Sequence, residues 1–276
     1  MEIKLIAFDL DGTLLREDKS ISPRNLAALE KAARRGIHIV PATGRVYSVL
    51  PKELQQLEYI RYVICINGAV LFDKQTKQEI YSAQIPLNRT LALIDYIRRL
   101  PLDVIYDCYA DNTGWTTHKN FTLVDEYIPH MPMRELFHSS RKPVDDLVEH
   151  LQRRGKPVQK VQMYFKEPGN RDAIIAQLHQ KFPDIQVSSS LSNNLELNGP
   201  EAGKHTALRV LCEKLGIDMR QVLALGDGSN DIGMLEAAGV GVAMANATQQ
   251  VRRAADSVTA DNENDGVAQA IARYCL

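Results

Sequence analysis

The sequence lacks the signatures of several protein classes. Its four cysteines, Cys65, Cys108, Cys212 and Cys275, are scattered, with no Cys-x-x-Cys pair. That argues against a disulfide framework or a zinc site. Cys65 and Cys212 stand among apolar neighbours and read as small core residues, and this usage predicts a reducing, cytoplasmic setting. Charge of one sign is missing too: 33 Lys and Arg stand against 34 Asp and Glu, a formal net charge of -1. No basic field recruits nucleic acid or an anionic membrane. No apolar run approaches the roughly 20 residues that span a bilayer. Met1-Glu2-Ile3-Lys4 leads straight into an apolar run, so no signal peptide is expected. His118, His130 and His138 show no zinc spacing, and there are no internal repeats or low-complexity tracts.

What is present is an ordinary globular composition, 45% hydrophobic and 24% charged, over 276 residues. That length predicts one large or two modest domains. Ile3 to Phe8 is apolar apart from Lys4 and fits a strand buried on both faces of a parallel sheet. Asp9 and Asp11 follow at its end, before Gly12 and Thr13 turn the chain. Side chains alternate along a strand, so the two carboxylates would start on one face. Their repulsion would be relieved by a hard cation such as Mg²⁺, which prefers oxygen ligands. Alternatively, one carboxylate would serve as nucleophile and the other as proton donor. A strand-closing Asp-Gly turn is the plain structural reading of the same residues.

Further strand–helix units follow. Ser22-Pro23 reads as a helix start, with Arg16 to Ile21 before it as a polar flap. Ile37 to Val40 is a second buried strand. Ala42-Thr43-Gly44-Arg45 after it makes a phosphate cradle from a hydroxyl, a glycine and a guanidinium. Arg45 reads equally as a substrate contact or an exposed structural arginine. Tyr62 to Ile66 is a third strand, closed by Asn67-Gly68, which reads as a turn or as facing the site. Val70 to Phe72 and Glu79 to Tyr81 suggest a hairpin.

From about Ala83 the texture becomes α+β. Helices are expected at 87–100, 144–154 and 171–182. Strands are expected at 103–110, 114–118, 158–165 and 185–190, with a turn at Asp111-Asn112-Thr113. Lys119 to Pro143 carries no clear pattern, and Met131, Met133 and Phe137 read as packing residues. Leu195-Glu196-Leu197 reads as the return to the first domain. Gly203-Lys204 opens a helix, a position that suits an anion, although most lysines are simply solvated. Gln221 to Leu225 is another buried strand. It ends in Gly226-Asp227-Gly228-Ser229-Asn230-Asp231, where two acids and an amide stand in a glycine-rich turn before a helix.

Asp9-Leu10-Asp11-Gly12-Thr13-Leu14 resembles the first motif of the haloacid-dehalogenase-like phosphatases. The Thr43, Lys204 and Asp227 segments resemble later motifs, and together they point to the Cof-type sugar-phosphatase branch. The resemblance implies a Rossmann-like doubly wound parallel sheet, at 1–82 and 192–276, with an inserted α+β cap at 83–191 that selects substrate. It implies a Mg²⁺-dependent phosphomonoesterase acting on a small phosphorylated metabolite, a sugar phosphate above all. Asp9 would be the nucleophile and Asp11 the acid/base, its pKa raised by dehydration. Asp9, Asp11 (through its carbonyl) and Asp227 would hold the metal. Thr43, Lys204, Asn230 and the N–H groups near Leu10 and Gly44 would hold the phosphate, with Asp231 orienting Lys204 or metal-bound water. The acid/base at Asp11 suits phosphate esters rather than dehalogenation. The family usually has glycine after the lysine, where this chain has His205. The alternatives are a hexose-phosphate phosphomutase and a phospho-ligand-binding regulator without turnover. No nucleic-acid or membrane partner is expected.

Overall fold

The computed structural model describes residues 2–111, 113–128 and 130–276. It divides into two compact units, Met1–Arg45, Leu50–Tyr81 and Gly203–Leu276 in one, Val46–Val49 and Ser82–Ala202 in the other.

The first unit is built on a five-stranded sheet in the order Ser257–Val258, Val240–Ala243, Val222–Gly226, Leu5–Phe8, His38–Pro41. All its pairings are parallel, with Leu5 opposite both Val222 and His38. Leu5–Phe8 and Val222–Gly226 are buried throughout, as their unbroken apolar runs require in a sheet covered on both faces. Leu5, Ala7, Val222 and Ala224 pack against Ala207, Leu208, Leu211, Met234 and Leu235 of the helices Lys204–Leu215 and Ile232–Ala237. Ile6 and Phe8 alternate to the opposite face. The helices Pro23–Arg34 and Gly266–Tyr274 pack on each other. Ser22 Oγ caps the first by accepting from the Asn25 N–H at 3.0 Å, and the buried Asn25 accepts from the Ala268 N–H at 2.9 Å.

The chain leaves Leu5–Phe8 for the strand on one side and much later fills the other side. The carboxyl ends of Leu5–Phe8 and Val222–Gly226 are therefore the topological switch point, where open α/β sheets bind ligands. Tyr62–Cys65, Val70–Asp73 and Gln78–Ser82 form a separate three-stranded sheet, which includes the expected hairpin. Arg16 to Ile21, read as a flap, is a tight turn in which the Arg16 N–H donates to the Ser20 carbonyl at 3.0 Å.

The second unit carries a six-stranded sheet in the order Gln186–Ser188, Asn194–Asn198, Lys160–Phe165, Val104–Ala110, Thr113–Thr117, Arg141–Val144. Its apolar face, with Cys108, Val161, Met163, Leu195 and Leu197, is packed by Leu93, Ile97, Leu151 and Leu178 of three helices. Alternate residues build a polar row on the other face. There Arg141 Nε donates to Asp107 Oδ2 at 3.1 Å, and Lys160 Nζ to Glu196 Oε1 at 2.8 Å.

Two sequence readings change here. Leu195–Leu197 is not a core strand: it pairs antiparallel with Val161–Met163 in the second unit's sheet. The chain re-enters the first unit only at Gly203, not near Ser192. A two-residue apolar period identifies a strand but not the sheet it joins. The segment 119–143 contains most of the helix His118–Tyr127 and the whole of Met131–Ser140. Phe137, Val124 and Tyr127 there pack on Ile105 and Tyr164, whereas Met131 is exposed. The expected turn at Asp111-Asn112-Thr113 includes Asn112, which lies outside the described residues. Among the described residues, no helix is long and apolar enough to cross a membrane, and all four cysteines are free thiols.

Candidate active site

Asp9 is the first residue beyond Leu5–Phe8, and its N–H still donates to the Leu225 carbonyl at 3.0 Å. Sheet pairing thus fixes its backbone at the strand tip. Its carboxylate is nearly buried and meets Lys204, whose Nζ donates to Asp9 Oδ1 at 2.5 Å and to Asp231 Oδ1 at 2.6 Å. Lys204 opens its helix directly after Gly203, with no exposed side-chain surface. Burial alone would lower the Lys204 pKa, but Asp231 and Asp9 hold it above its ordinary value. His205, where a glycine was expected, leaves that helix start intact.

Asp227 lies at the tip of Val222–Gly226 and accepts from Thr13 Oγ1 at 2.7 Å. Gly12 lets the two loops meet. Its φ is +84°, and a Cβ there would stand 2.3 Å from Asp227 Oδ2, so this turn needs glycine for both conformation and space. Asp231 closes its own loop, with Oδ2 accepting from the Asp227 and Gly228 N–H groups at 3.0 and 2.9 Å. One carboxylate oxygen each from Asp9, Asp227 and Asp231 lie within 4.8 Å of one another.

These three acids share a single buried ammonium. Burial raises the Asp9 pKa well above its ordinary value, with Asp231 and Asp227 adding to the rise and Lys204 opposing it. Burial and then the Asp231 charge push Asp227 up to about 7. Such a cluster is short of positive charge, and a divalent cation with oxygen ligands fits it. Both Asp231 oxygens are already engaged, one by Lys204 and one by two amides, so Asp9 and Asp227 have the greater freedom to take an ion.

Asp11 departs from expectation. Its carboxylate is held by Arg45, with Nε donating to Oδ2 and Nη2 to Oδ1, both at 2.7 Å, and by Lys19 Nζ at 2.9 Å. Burial would raise its pKa, but the Arg45 and Lys19 contacts win and bring it down to about 2. The raised pKa expected for an acid is therefore reversed in this state. A bidentate guanidinium fork is among the strongest stabilisers of a carboxylate.

Thr43 is buried, with its N–H on the Ile64 carbonyl at 2.8 Å and its hydroxyl accepting from the Arg45 N–H at 3.2 Å. Gly44 continues the same loop. Leu10 is buried, and its carbonyl accepts from the Thr13 and Leu15 N–H groups. Asn230 Nδ2 donates to Asn67 Oδ1 at 3.0 Å. Asn67 and the residue before it are both left-handed, Ile66 at φ 52° and Asn67 at φ 57°. A β-branched residue there costs about 1–3 kcal/mol and signals a locally imposed conformation. Asn246 and Asn262 also brace the first motif, donating to the Gly12 and Leu15 carbonyls at 2.8 and 2.9 Å. The available signal for them was slight: Asn246 stands in a turn after a strand, and Asn262 in the Asp- and Asn-rich run 261–265.

The strand-tip acids from both ends of the chain thus converge on one point, as in a phosphoryl-transfer site. A profile described as haloacid dehalogenase-like hydrolase matches residues 6–271. The chain belongs to this family. Among the relatives of this haloacid dehalogenase-like hydrolase is 5-amino-6-(5-phospho-D-ribitylamino)uracil phosphatase YcsE of Bacillus subtilis, 30% identical over 100% of this chain and 97% of the relative. Phosphatase YwpJ of the same organism is also 30% identical, over 96% and 98% of the two chains. The structure of a haloacid dehalogenase-like hydrolase from B. subtilis superposes with a TM-score of 0.86 at 27% identity, covering 98% and 99% of the two chains. The resemblance and the fold class expected from the motifs are borne out.

Proposed function

We propose that the chain is a Mg²⁺-dependent phosphomonoesterase for a small phosphorylated metabolite, a sugar phosphate or a similar polyol phosphate. The observation that carries this is the grouping of Asp9, Asp227, Asp231 and Lys204 at the switch point. Relatives named as phosphatases support the reaction, and the phosphoribityl compound in one of their names supports the substrate class.

In this reading an Asp9 oxygen attacks phosphorus in line. A P–O bond forms to Asp9 as the ester P–O bond breaks, and Asp11 gives the departing oxygen its proton. Asp11 then accepts a proton from the water that cleaves the aspartyl-phosphate. The Arg45 fork on Asp11 must first open. A dianionic substrate competes for that guanidinium, and loss of the partner lets the Asp11 pKa rise. Arg45 thereby becomes a substrate contact.

Thr43, Lys204, Asn230 and the N–H groups of Leu10 and Gly44 hold the phosphoryl oxygens, and Asp231 keeps Lys204 in place. Asp9, the Asp11 carbonyl and Asp227 would hold Mg²⁺. The ion would screen the repulsion between the Asp9 carboxylate and the phosphoryl dianion. Positioning and charge stabilisation carry most of such a transfer. Substrate choice is assigned to the inserted unit, Ser82–Ala202.

A screen of phosphorylated metabolites with and without Mg²⁺ tests the reading, with release of free phosphate as the signal. Asp9→Asn is expected to lower the rate by on the order of 10⁴-fold with the fold retained. Near-normal turnover in that variant would remove Asp9 as nucleophile. Isomerised sugar phosphate in place of free phosphate would make the enzyme a mutase.

A further inference from the structure

The Asn67 loop touches three phosphate-side elements of the first unit. Its Ile66 N–H donates to the Arg45 carbonyl and its Asn67 N–H to the Thr43 carbonyl, both at 3.0 Å. Gly68, at φ +85°, lies so close to the start of the Lys204 helix that a Cβ there would stand 2.1 Å from the Gly203 carbonyl oxygen and 2.6 Å from the Lys204 nitrogen. The buried Asn67 side chain accepts from the Asn230 amide at 3.0 Å. Three consecutive left-handed residues, 66 to 68, make these contacts possible together. A turn whose only task was to join two strands would need neither a left-handed isoleucine nor a buried amide aimed at another loop.

We propose that Asn67 is a positioning residue for phosphate binding. Its carbonyl oxygen fixes the rotation of the Asn230 amide, so that one N–H is spent on Asn67 and the other is presented to a phosphoryl oxygen. Its backbone ties the Thr43–Arg45 loop to the start of the Lys204 helix. The role rests on the phosphatase reading above and adds a residue to it. Each side-chain amide carries both a donor and an acceptor, and in this pair the Asn67 oxygen accepts while the Asn230 nitrogen donates. Removal of the acceptor frees the Asn230 amide to rotate and to offer its oxygen to an anion.

The test is a double-mutant cycle on the full chain with Mg²⁺ present. The affinity for inorganic phosphate is read by calorimetry, and hydrolysis of p-nitrophenyl phosphate is read in parallel. Asn67→Gly removes the amide and keeps the left-handed backbone at no steric cost. Asn67→Ala removes the same amide with less backbone freedom, so agreement between the two assigns the effect to the side chain. Each is expected to weaken phosphate binding about tenfold, and Asn230→Ala by a similar factor, because neighbours that share one contact are not additive. Either Asn67 change made in the Asn230→Ala background is expected to cost less than about twofold more. A loop that mattered only for stability would shift the melting temperature and weaken both backgrounds equally. Wild-type affinity in both Asn67 variants, or effects that multiply to about a hundredfold, would overturn the proposal. A wild-type protein that neither binds phosphate nor hydrolyses the ester would overturn the phosphatase reading and this role with it. Phosphate binding with multiplicative losses would overturn this role alone.

Discussion

Lys204 and Asp231 form an ion pair with no exposed side-chain surface on either partner, at 2.6 Å. The same ammonium reaches Asp9 at 2.5 Å. One cation thus holds two acids from loops far apart in sequence, and a third acid, Asp227, stands beside them.

Lys204→Met should be destabilising as well as inactivating. It leaves two buried carboxylates without their cation, a defect that costs about 3–5 kcal/mol. Urea unfolding at neutral pH measures it. A loss under about 1 kcal/mol would mean that the two acids find another partner or take up protons cheaply.

The Asp11–Arg45 contact sets a pH dependence with a defined sign. The folded Asp11 pKa, about 2, lies below an unfolded value of about 3.9. This contact therefore stabilises fully above about pH 4, and its contribution is lost as pH falls through about 2. Arg45→Met is expected to remove most of that acid-labile share, leaving Lys19 as the remaining partner of Asp11. Other depressed carboxylates, such as Asp73 and Asp146, titrate in both proteins, so the readout is the difference between the two urea-unfolding profiles. Parallel profiles between about pH 5 and 2 would dissociate Arg45 from Asp11.

Gly12→Ala should strike the site through sterics. The added Cβ meets the Asp227 carboxylate, and the backbone sits at φ +84°. A loss of about 2 kcal/mol or more is expected, with weaker metal binding because Asp227 must move. Thermal melts with and without Mg²⁺ separate the two effects.

Mg²⁺ should raise the melting temperature of the wild-type chain. An ion that binds only the folded state at 100 times its dissociation constant adds about 2.7 kcal/mol. Asp227→Asn should lose most of that gain while keeping the Thr13 contact through its amide oxygen. An equal Mg²⁺ effect in both proteins would place the ion elsewhere.

The acids at 9 and 227 were legible because each follows an apolar strand and stands within three residues of a turn-forming glycine, Gly12 or Gly228, which puts a polar group at a strand tip in any parallel sheet. Lys204 was legible as a helix-opening cation, but its complete burial was not. The state of Asp11 was hidden because its partners, Lys19 and Arg45, lie 8 and 34 residues away, in a turn and a loop, so no one element's periodicity links them to it. Asn67 read as an Asn-Gly turn or as facing the site, and the sequence did not show which amide it would meet. Its partner Asn230 is 163 residues distant, and the left-handed backbone of Ile66 runs against the preference of its own side chain. Leu195 to Leu197 carries a strand pattern that two sheets would accept equally.

Local chemistry in the chain was therefore enough to mark the buried strands, the strand-tip acids and the glycine-bearing turns, and the motif resemblance supplied the fold class. Periodicity and backbone preference act over a few residues, and those features are written at that range. The tertiary structure alone decided which acid keeps a cation partner, which sheet receives the strand before Gly203, and which amide faces Asn230. Charge pairing, sheet registry and burial are properties of groups that meet only after the chain has folded, and no short stretch of sequence contains both partners.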